Sequence, residues 1–423
     1  MAMECSALAR IRRAAGADDL RIDEAVNQLC VQQGLCWRER LLWPAVFIRL
    51  FVMQMLHRNT SIAHLRQLSG LDFTPSSYVE ARSRLPLAVL QGLLQWLMSK
   101  AQDLTQDLID TGRRVMIIDC SSFSMPDTPD LRKHFGLLKA GGVVEGVTYP
   151  VAKLVGLMDA ATGMFSQLLA CPLYTHDLRH VLRMHPMLRY GDILLGDRAF
   201  CSYVHLALLV ERGVDMVVRL HQKRKEQGGN GLFIWNRPKT VPAWMTREQF
   251  LTLPMQLTLR LVSYRIEQRG FRTKHITIAT TLLDEQAWPD EAIRDLYSRR
   301  WSIETCFGDL KTTMNMAVLK CKTVAGVMKE LAAYLLVYNL VRLRMLQAAA
   351  YQCVNVQRIS FIDAARYLLC RMLGVPGVDR LIVNPLRPGR QEPRVIRRRM
   401  KEYDLMKRPR AELKAKLAEG VGA

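Results

Sequence analysis

The sequence predicts a mixed α/β fold flanked by helical regions, on three observations. Short β-branched and apolar runs begin at Arg113 and recur to about residue 221, and the later ones alternate with helical patterns. The first hundred residues, like those after 290, repeat apolar side chains at helical spacing. Strands followed by alternating helix and strand favour a mixed sheet over a purely helical or purely β protein.

Taken in order, residues 1–105 are rich in Leu, Ala, Arg and Gln and are interrupted at "HRNTS" and "LDFTPSSYVEARSRLP". Helices are expected over roughly 22–33, 40–56, 60–68, 75–84 and 86–101. "TPSSYVEARSRL" offers a Ser N-cap before a basic amphipathic turn. The region reads either as a small helical DNA-binding unit or as a helical cap with a solvated basic face. Residues 106–220 open with two apolar runs, "RRVMIIDCSSFSM" and "VAKLVGLMDAATGMFSQLLACPL", the second broken at the turn "DAATG". A helix is expected at roughly 177–189. "DILLGDRAF" then reads as a buried strand ending at Asp197, "CSYVHLALLVERG" as a helix and "VDMVVRLH" as a strand. Residues 221–282 begin basic and loop-rich ("HQKRKEQGGNGLFIWNRPK") and end in a strand pair around "EQRGF", the pattern of an inserted β subdomain. Residues 283–350 return to helix. Residues 351–423 are expected to be a helical region ending in a flexible basic tail, "PLRPGRQEPRVIRRRMKEYDLMKRPR".

The chain has 423 residues, 49% of them hydrophobic, as an ordinary globular protein does; 60 Lys and Arg against 39 Asp and Glu leave a formal charge of +21. Such a surface attracts polyanions, and nucleic acid is the commonest in a cell. A membrane surface is the competing partner. The longest apolar runs, 41–56 and 330–346, both contain Arg and fall short of the ~20 apolar residues of a spanning helix, so core helices and no membrane are expected. The first residues lack the long apolar stretch of a secretory signal, so a cytoplasmic location is expected. Ten cysteines without a C-x-x-C pair support neither a zinc site nor a disulfide framework.

Chemistry concentrates in "LYSRRWSIETCFGDLK", residues 296–311. Tyr297, Arg300, Glu304 and Lys311 stand at offsets of three, four and seven, which an α-helix brings to one stripe. Leu296, Trp301, Ile303, Phe307 and Leu310 spread round the rest, as on a helix packed on most sides with its polar row facing a site. Taken alone, an exposed helix with an Arg300–Glu304 pair explains the same residues. Two more acids stand at strand ends, Asp119 after "VMII" and Asp197 after "ILLG", where α/β sheets commonly place their sites. Three carboxylates together could hold two hard cations about 3.5–4 Å apart, the arrangement phosphoryl transfer uses.

The order Asp, Asp, Glu, with the Glu in Y-x2-R-x3-E-x6-K, resembles the DDE transposases of bacterial insertion sequences, in the branch named for Tyr-Arg-Glu-Lys. "IIDCSSFSMPDT", "GDRAFCSY" and "RRWSIETCFGDLKTTMNMAVLKCKT" resemble the family's three blocks, and the likeness runs over roughly residues 40–350. It implies a ribonuclease H-like, retroviral integrase-like catalytic core with a β insertion between the second Asp and the Glu. It also implies that Asp119, Asp197 and Glu304 are catalytic and bind two Mg²⁺ ions, Mn²⁺ substituting. Tyr297, Arg300 and Lys311 would grip phosphates near the scissile bond, and Arg198, beside the second Asp, is a further candidate. The implied partners are double-stranded DNA, as terminal inverted repeats and as target, and a second copy of the chain in a homodimer on DNA. The implied function is cleavage of the element ends and their joining to target DNA. Two rivals are a metal-dependent nuclease without strand transfer and a transposase-derived protein retained only for binding DNA. Some members stack a flipped base on a Trp in the insertion's last strand; Ile276, in "HITIATT", stands there instead. Trp235, Trp244 and Trp288 are expected to be core or interface aromatics.

Overall fold

The computed structural model describes residues 22–38, 40–103, 112–137, 148–174, 177–221, 230–265, 275–375, 378–386 and 408–419. Five helices come first: α1 (Ile22–Gln32), α2 (Pro44–Leu56), α3 (Ile62–Ser69), α4 (Pro75–Arg84) and α5 (Leu87–Asp103), all close to their expected positions. α2 is apolar on almost every side and is buried from Pro44 to Met55, as a helix without a polar face needs to be. Its Arg49 is tolerated there because Asp23 of α1 accepts from both Nε and Nη2 at 2.7 Å.

The strands are β1 (Val115–Ser124), β2 (Val151–Asp159), β3 (Phe165–Pro172), β4 (Ile193–Gly196), β5 (Asp215–Arg219), β6 (Gly231–Asn236), β7 (Gln256–Arg265) and β8 (His275–Thr280). They form one eight-stranded sheet in the order β3-β2-β1-β4-β5-β8-β7-β6. β1, β2 and β3 are antiparallel neighbours, whereas β4 runs parallel to β1 and β5 parallel to β4. With helices on both faces this is an α/β, ribonuclease H-like core.

The region expected as an inserted β subdomain continues that sheet. β8 returns antiparallel along β5, from Val217 opposite Thr280 to Arg219 opposite Ile278, and β7 and β6 follow it outward. β6 itself lies in the stretch whose Gly, Asn and Lys content reads as loop. Its full pairing with β7 outweighs those local signals, and its burial alternates, with Leu232 and Ile234 exposed and Trp235 buried.

The remaining helices are α6 (Pro129–Phe135), α7 (Asp177–Val181), α8 (Tyr203–Glu211), α9 (Arg247–Thr252), α10 (Asp290–Ser298), α11 (Ser302–Gly308), α12 (Val324–Gln352), α13 (Phe361–Met372) and α14 (Arg410–Ala418). α7 is shorter than the helix expected over 177–189. A 3₁₀ segment, Leu182–Met187, follows it and contains Pro186, whose missing N–H and ring oppose a regular α-helix.

Side chains of β1 alternate between two cores. Val115, Ile117 and Phe123 join one with α1–α5 and α10–α13, while Met116 and Ile118 join a second with α8, α9 and the 3₁₀ segment. α12 is long and apolar enough to cross a membrane, but 72% of its most apolar window is buried inside the protein. It is the central core helix and extends the 330–346 run at both ends, its start capped by Thr323 Oγ1 accepting from Gly326 N at 3.1 Å. Residues 1–21, and 387–407 of the expected basic tail, lie outside the described residues.

Candidate active site

Strand register assembles the site. Ile118 pairs with Gly196, and Gly196 with Val218; one step further along these parallel strands stand Asp119, Asp197 and Arg219 in a row. Asp119 shares its parity with Val115 and Ile117, and Asp197 with Ile193 and Leu195. All four of those apolar residues lie in the core that also holds Ile303, Cys306 and Phe307 of α11. Alternation therefore aims both aspartates at the face that α11 covers. Opposite Asp119 on β2 is Gly156. A Cβ there would fall 2.8 Å from Phe307 Cζ, so the bare glycine lets Phe307, one turn after Glu304, seat on the sheet.

Glu304 rides on a helical run whose pitch changes three times: α10, a 3₁₀ turn at Arg299–Trp301, α11, and a π segment at Asp309–Thr313. Leu296, Ile303, Phe307 and Leu310 are buried, as is Tyr297. Trp301 is the exception to the expected packing. It is 61% exposed on the outer side of the 3₁₀ turn, its ring centroid 6.0 Å from Arg300 Cζ.

One guanidinium joins two of the three acids. Arg300 Nη1 donates to Asp119 Oδ2 at 3.2 Å and Nη2 to Glu304 Oε1 at 3.2 Å. Asp119 Oδ1 accepts from the Cys120 amide at 2.8 Å. Asp197 Oδ1 accepts from the Ala199 amide at 2.7 Å and so caps the 3₁₀ turn Arg198–Phe200. Lys311 Nζ donates to Ser121 Oγ at 3.2 Å, two residues past Asp119 on the same strand. After the π segment the chain stays tied to β1, Ser124 N donating to Ala317 O and Leu319 N to Ser124 O. Arg198 is exposed and makes no ion pair among the described residues.

Burial pushes the Asp119 carboxyl up to about 6. The Cys120 amide and Arg300 oppose that rise, and the negative charges of Asp197 and Glu304 add to it. Asp119 thus feels the charge of both other acids. Burial also raises the Tyr297 phenol, against Arg300 and Arg219, while Asp197 adds to the rise. Among the described residues no group of three or more His, Cys, Asp or Glu is close enough to hold a metal ion; Arg300 lies between two of the expected ligands. The donor set itself, three carboxylates on one face, is the oxygen chemistry that hard divalent cations take.

Arg219 and Ser121 are site residues that the sequence does not single out. Arg219 ends "VDMVV" as Asp197 ends "ILLG", but the signal becomes visible only once the two strands are known to be parallel neighbours. The tryptophans near the insertion are in the cores: Trp235 is buried edge-on to Tyr203 at 5.6 Å, and Trp244 and Trp288 are partly buried. Ile276 pairs across the strands with Tyr264.

The family model "Transposase DDE domain" matches residues 110–340, more than half of the chain and the whole of the site. The chain belongs to that family. Two bacterial relatives have the same character at low identity. The transposase InsG for insertion sequence element IS4 of Escherichia coli (strain K12) is 22% identical over 396 residues, 86% of each chain. The probable transposase for insertion sequence element IS5377 of Geobacillus stearothermophilus is 22% identical over 352 residues, 80% of this chain and 86% of that one. Among solved structures, the piggyBac transposase synaptic complex with hairpin DNA aligns over 87% of this chain and 80% of the other, with a TM-score of 0.42 and 10% identity. The chain is thus a DNA transposase, of a family that in general uses divalent metal.

Proposed function

We propose that this DDE transposase binds the terminal inverted repeats of an insertion sequence, hydrolyses the end phosphodiesters and joins the freed 3′ hydroxyls to target DNA. The observation that carries the proposal is the row of Asp119 and Asp197 on neighbouring parallel strands with Glu304 on the helix facing them. Their oxygens would hold two divalent cations, Mg²⁺ or Mn²⁺. Such a pair, when bound, activates the attacking oxygen and stabilises the leaving one. The chain's own part is positioning. Arg300, held between Asp119 and Glu304, offers a planar fork to a phosphate. Lys311 adds a mobile point charge beside β1, and Tyr297 and Arg198 complete the grip on the backbone near the scissile bond. The two relatives act for insertion sequences by name, which supports the same substrate here. A homodimer holding two ends, acting on DNA in the cytoplasm, is part of this reading.

Asp119→Ala, Asp197→Ala and Glu304→Ala should each abolish Mg²⁺-dependent cleavage of an end duplex while leaving its binding largely intact. Gel analysis of cleavage beside anisotropy of binding measures both, and robust cleavage by any of the three would sink the assignment. A pre-cleaved end offered with a target plasmid separates transposase from nuclease, because the nuclease alone produces no joined product.

A further inference from the structure

Glycine disfavours a helix, because it loses more backbone freedom on folding than any other residue, so a helical glycine calls for a reason. Two reasons lie within a chain, a left-handed backbone and a neighbour too close for a Cβ. Among the described residues, nine glycines adopt positive φ. At Gly92, Gly156, Gly196 and Gly326 a Cβ would come within 3.2 Å of another residue. Gly308, alone among the described glycines, has neither reason. Its φ of −59 and ψ of −45 suit any residue, it is exposed, and a Cβ on it would meet nothing within 4 Å. The passage from α11 to the π segment does not explain it either. Asp309, the next residue, carries a side chain at nearly the same angles, φ −61 and ψ −48.

Its place suggests what does. Gly308 stands one turn after Glu304 and three residues before Lys311, on the side of the run that Glu304 occupies. Phe307 and Leu310 on either side are buried in the core, so the helix is fixed from behind and bare in front. The notch thus lies between a carboxylate that would hold a metal ion and an ammonium, about 10 Å apart along the helix. A chain with repeated negative charge spans such a gap, and a nucleic acid strand is one. Glycine is also the residue that lets a ligand approach the backbone closely.

We infer that Gly308 is a substrate-contact residue, whose missing side chain leaves the channel in which the sugar–phosphate backbone of the cleaved strand runs against α11 from Glu304 to Lys311. This rests on the reading that the chain binds and cuts its element's ends.

Gly308→Ala and Gly308→Leu place a methyl and an isobutyl group in that channel. Thermal denaturation of the full-length protein without DNA, cleavage of an end duplex in Mg²⁺, and hydroxyl-radical footprinting of the duplex in Ca²⁺ test the inference. Gly308→Ala should melt about 1–2 °C above the wild type, since alanine is the better helix former and the space is open. It should nevertheless cleave roughly tenfold more slowly, and Gly308→Leu at least a hundredfold, because the strand is displaced from the metal site. The wild type should protect the sugars beside the scissile phosphate. Gly308→Leu should lose that protection and keep the rest of the footprint. Should Gly308→Leu not fold, the alanine variant decides through the opposite signs of its changes in Tm and cleavage rate. An alanine variant that melts no higher than the wild type shows that the chain itself needs the glycine, and overturns the inference. So does a folded variant with wild-type cleavage and protection, which leaves end binding intact. A wild-type chain that protects no part of the end duplex overturns the end-binding reading and this inference with it.

Discussion

Asp119 is where stability and chemistry oppose each other. Its side chain is 14% exposed, and burial beside two other acids lifts its pKa to about 6, from an unfolded value near 3.9. An acid whose folded pKa lies above its unfolded one contributes stability that is complete below about pH 4 and is lost as pH rises through about 6. Above that, the ionised form costs on the order of 3 kcal/mol even with Arg300 beside it. Asp119→Asn, which retains an acceptor for Arg300, should therefore melt higher than the wild type at pH 7.5 in EDTA, and the gap should close by pH 4. Thermal denaturation across pH measures this, and a gap that is absent at pH 7.5 would count against a strained carboxylate.

At the scale of elements, the segment carrying Asp197 is braced from behind by a histidine pair. His205 of α8 and His185 of the 3₁₀ segment stack at 5.1 Å. His205 Nδ1 lies 2.9 Å from the Phe200 carbonyl, which can only accept, so Nδ1 carries the proton. Burial lowers His185 to about 3, its partner's charge and Arg212 adding to the effect, and burial lowers His205 to about 4. Both Nε2 atoms are buried without a hydrogen bond among the described residues. Because these folded values lie below the unfolded ~6.5, the pair's contribution is present at neutral pH. It is lost as pH falls from about 6.5 through about 4. His185→Phe keeps a ring of similar shape and removes one proton site, so its denaturant midpoint should fall less steeply than the wild type's between pH 6.5 and 4. Superimposable pH profiles would show that the pair does not titrate with folding.

Over the whole molecule, Glu330 of α12 fastens the helical region to the catalytic core. Buried at 2% exposure, it accepts from Asn59 Nδ2 at 2.6 Å, between α2 and α3, and from the amides of Lys320 and Cys321 at 2.9 Å, just beyond the Glu304 run. Asn59 adopts φ 54 to make that reach, a conformation Asn tolerates better than most residues. Glu330→Ala strands these donors and should cost roughly 3 kcal/mol or more, read from the urea midpoint. Glu330→Gln, which keeps one oxygen, should fall between the two, and a wild-type midpoint in the alanine variant would refute the bridge. Assembly belongs to the same scale. Chains of charge +21 repel one another until phosphates neutralise them, whereas an element has two ends for a two-fold pair to hold. Mass photometry should find monomers in free solution and dimers once end duplexes are added. One subunit on one end, fully competent to cut and join, would overturn that.

Local periodicity determined much of this protein. Helices α1–α5, the strands through β5, and Asp197 just past the end of β4 were legible because steps of two and 3.6 residues repeat within a short window; Asp119, expected at a strand end, instead lies midway along β1, because the pairing with β2 carries that strand on to Ser124. The motif around Glu304 was legible because its spacing lies within one helical run. What only the tertiary structure decided involves residues distant in sequence. β8 chose the edge of β5 across some sixty residues, which made the insertion a continuation of the sheet and turned "GLFIWN" into a strand. Arg219 entered the site through the pairing of Gly196 with Val218, and Arg300 came between Asp119 and Glu304, 181 residues from the first of them. Trp301, apolar and beside buried neighbours in the same helical run, is nonetheless exposed. Hydrogen-bond partners across a sheet and the neighbours of a guanidinium are set by which surfaces the folded chain brings together, and a sequence window contains only one side of each such contact.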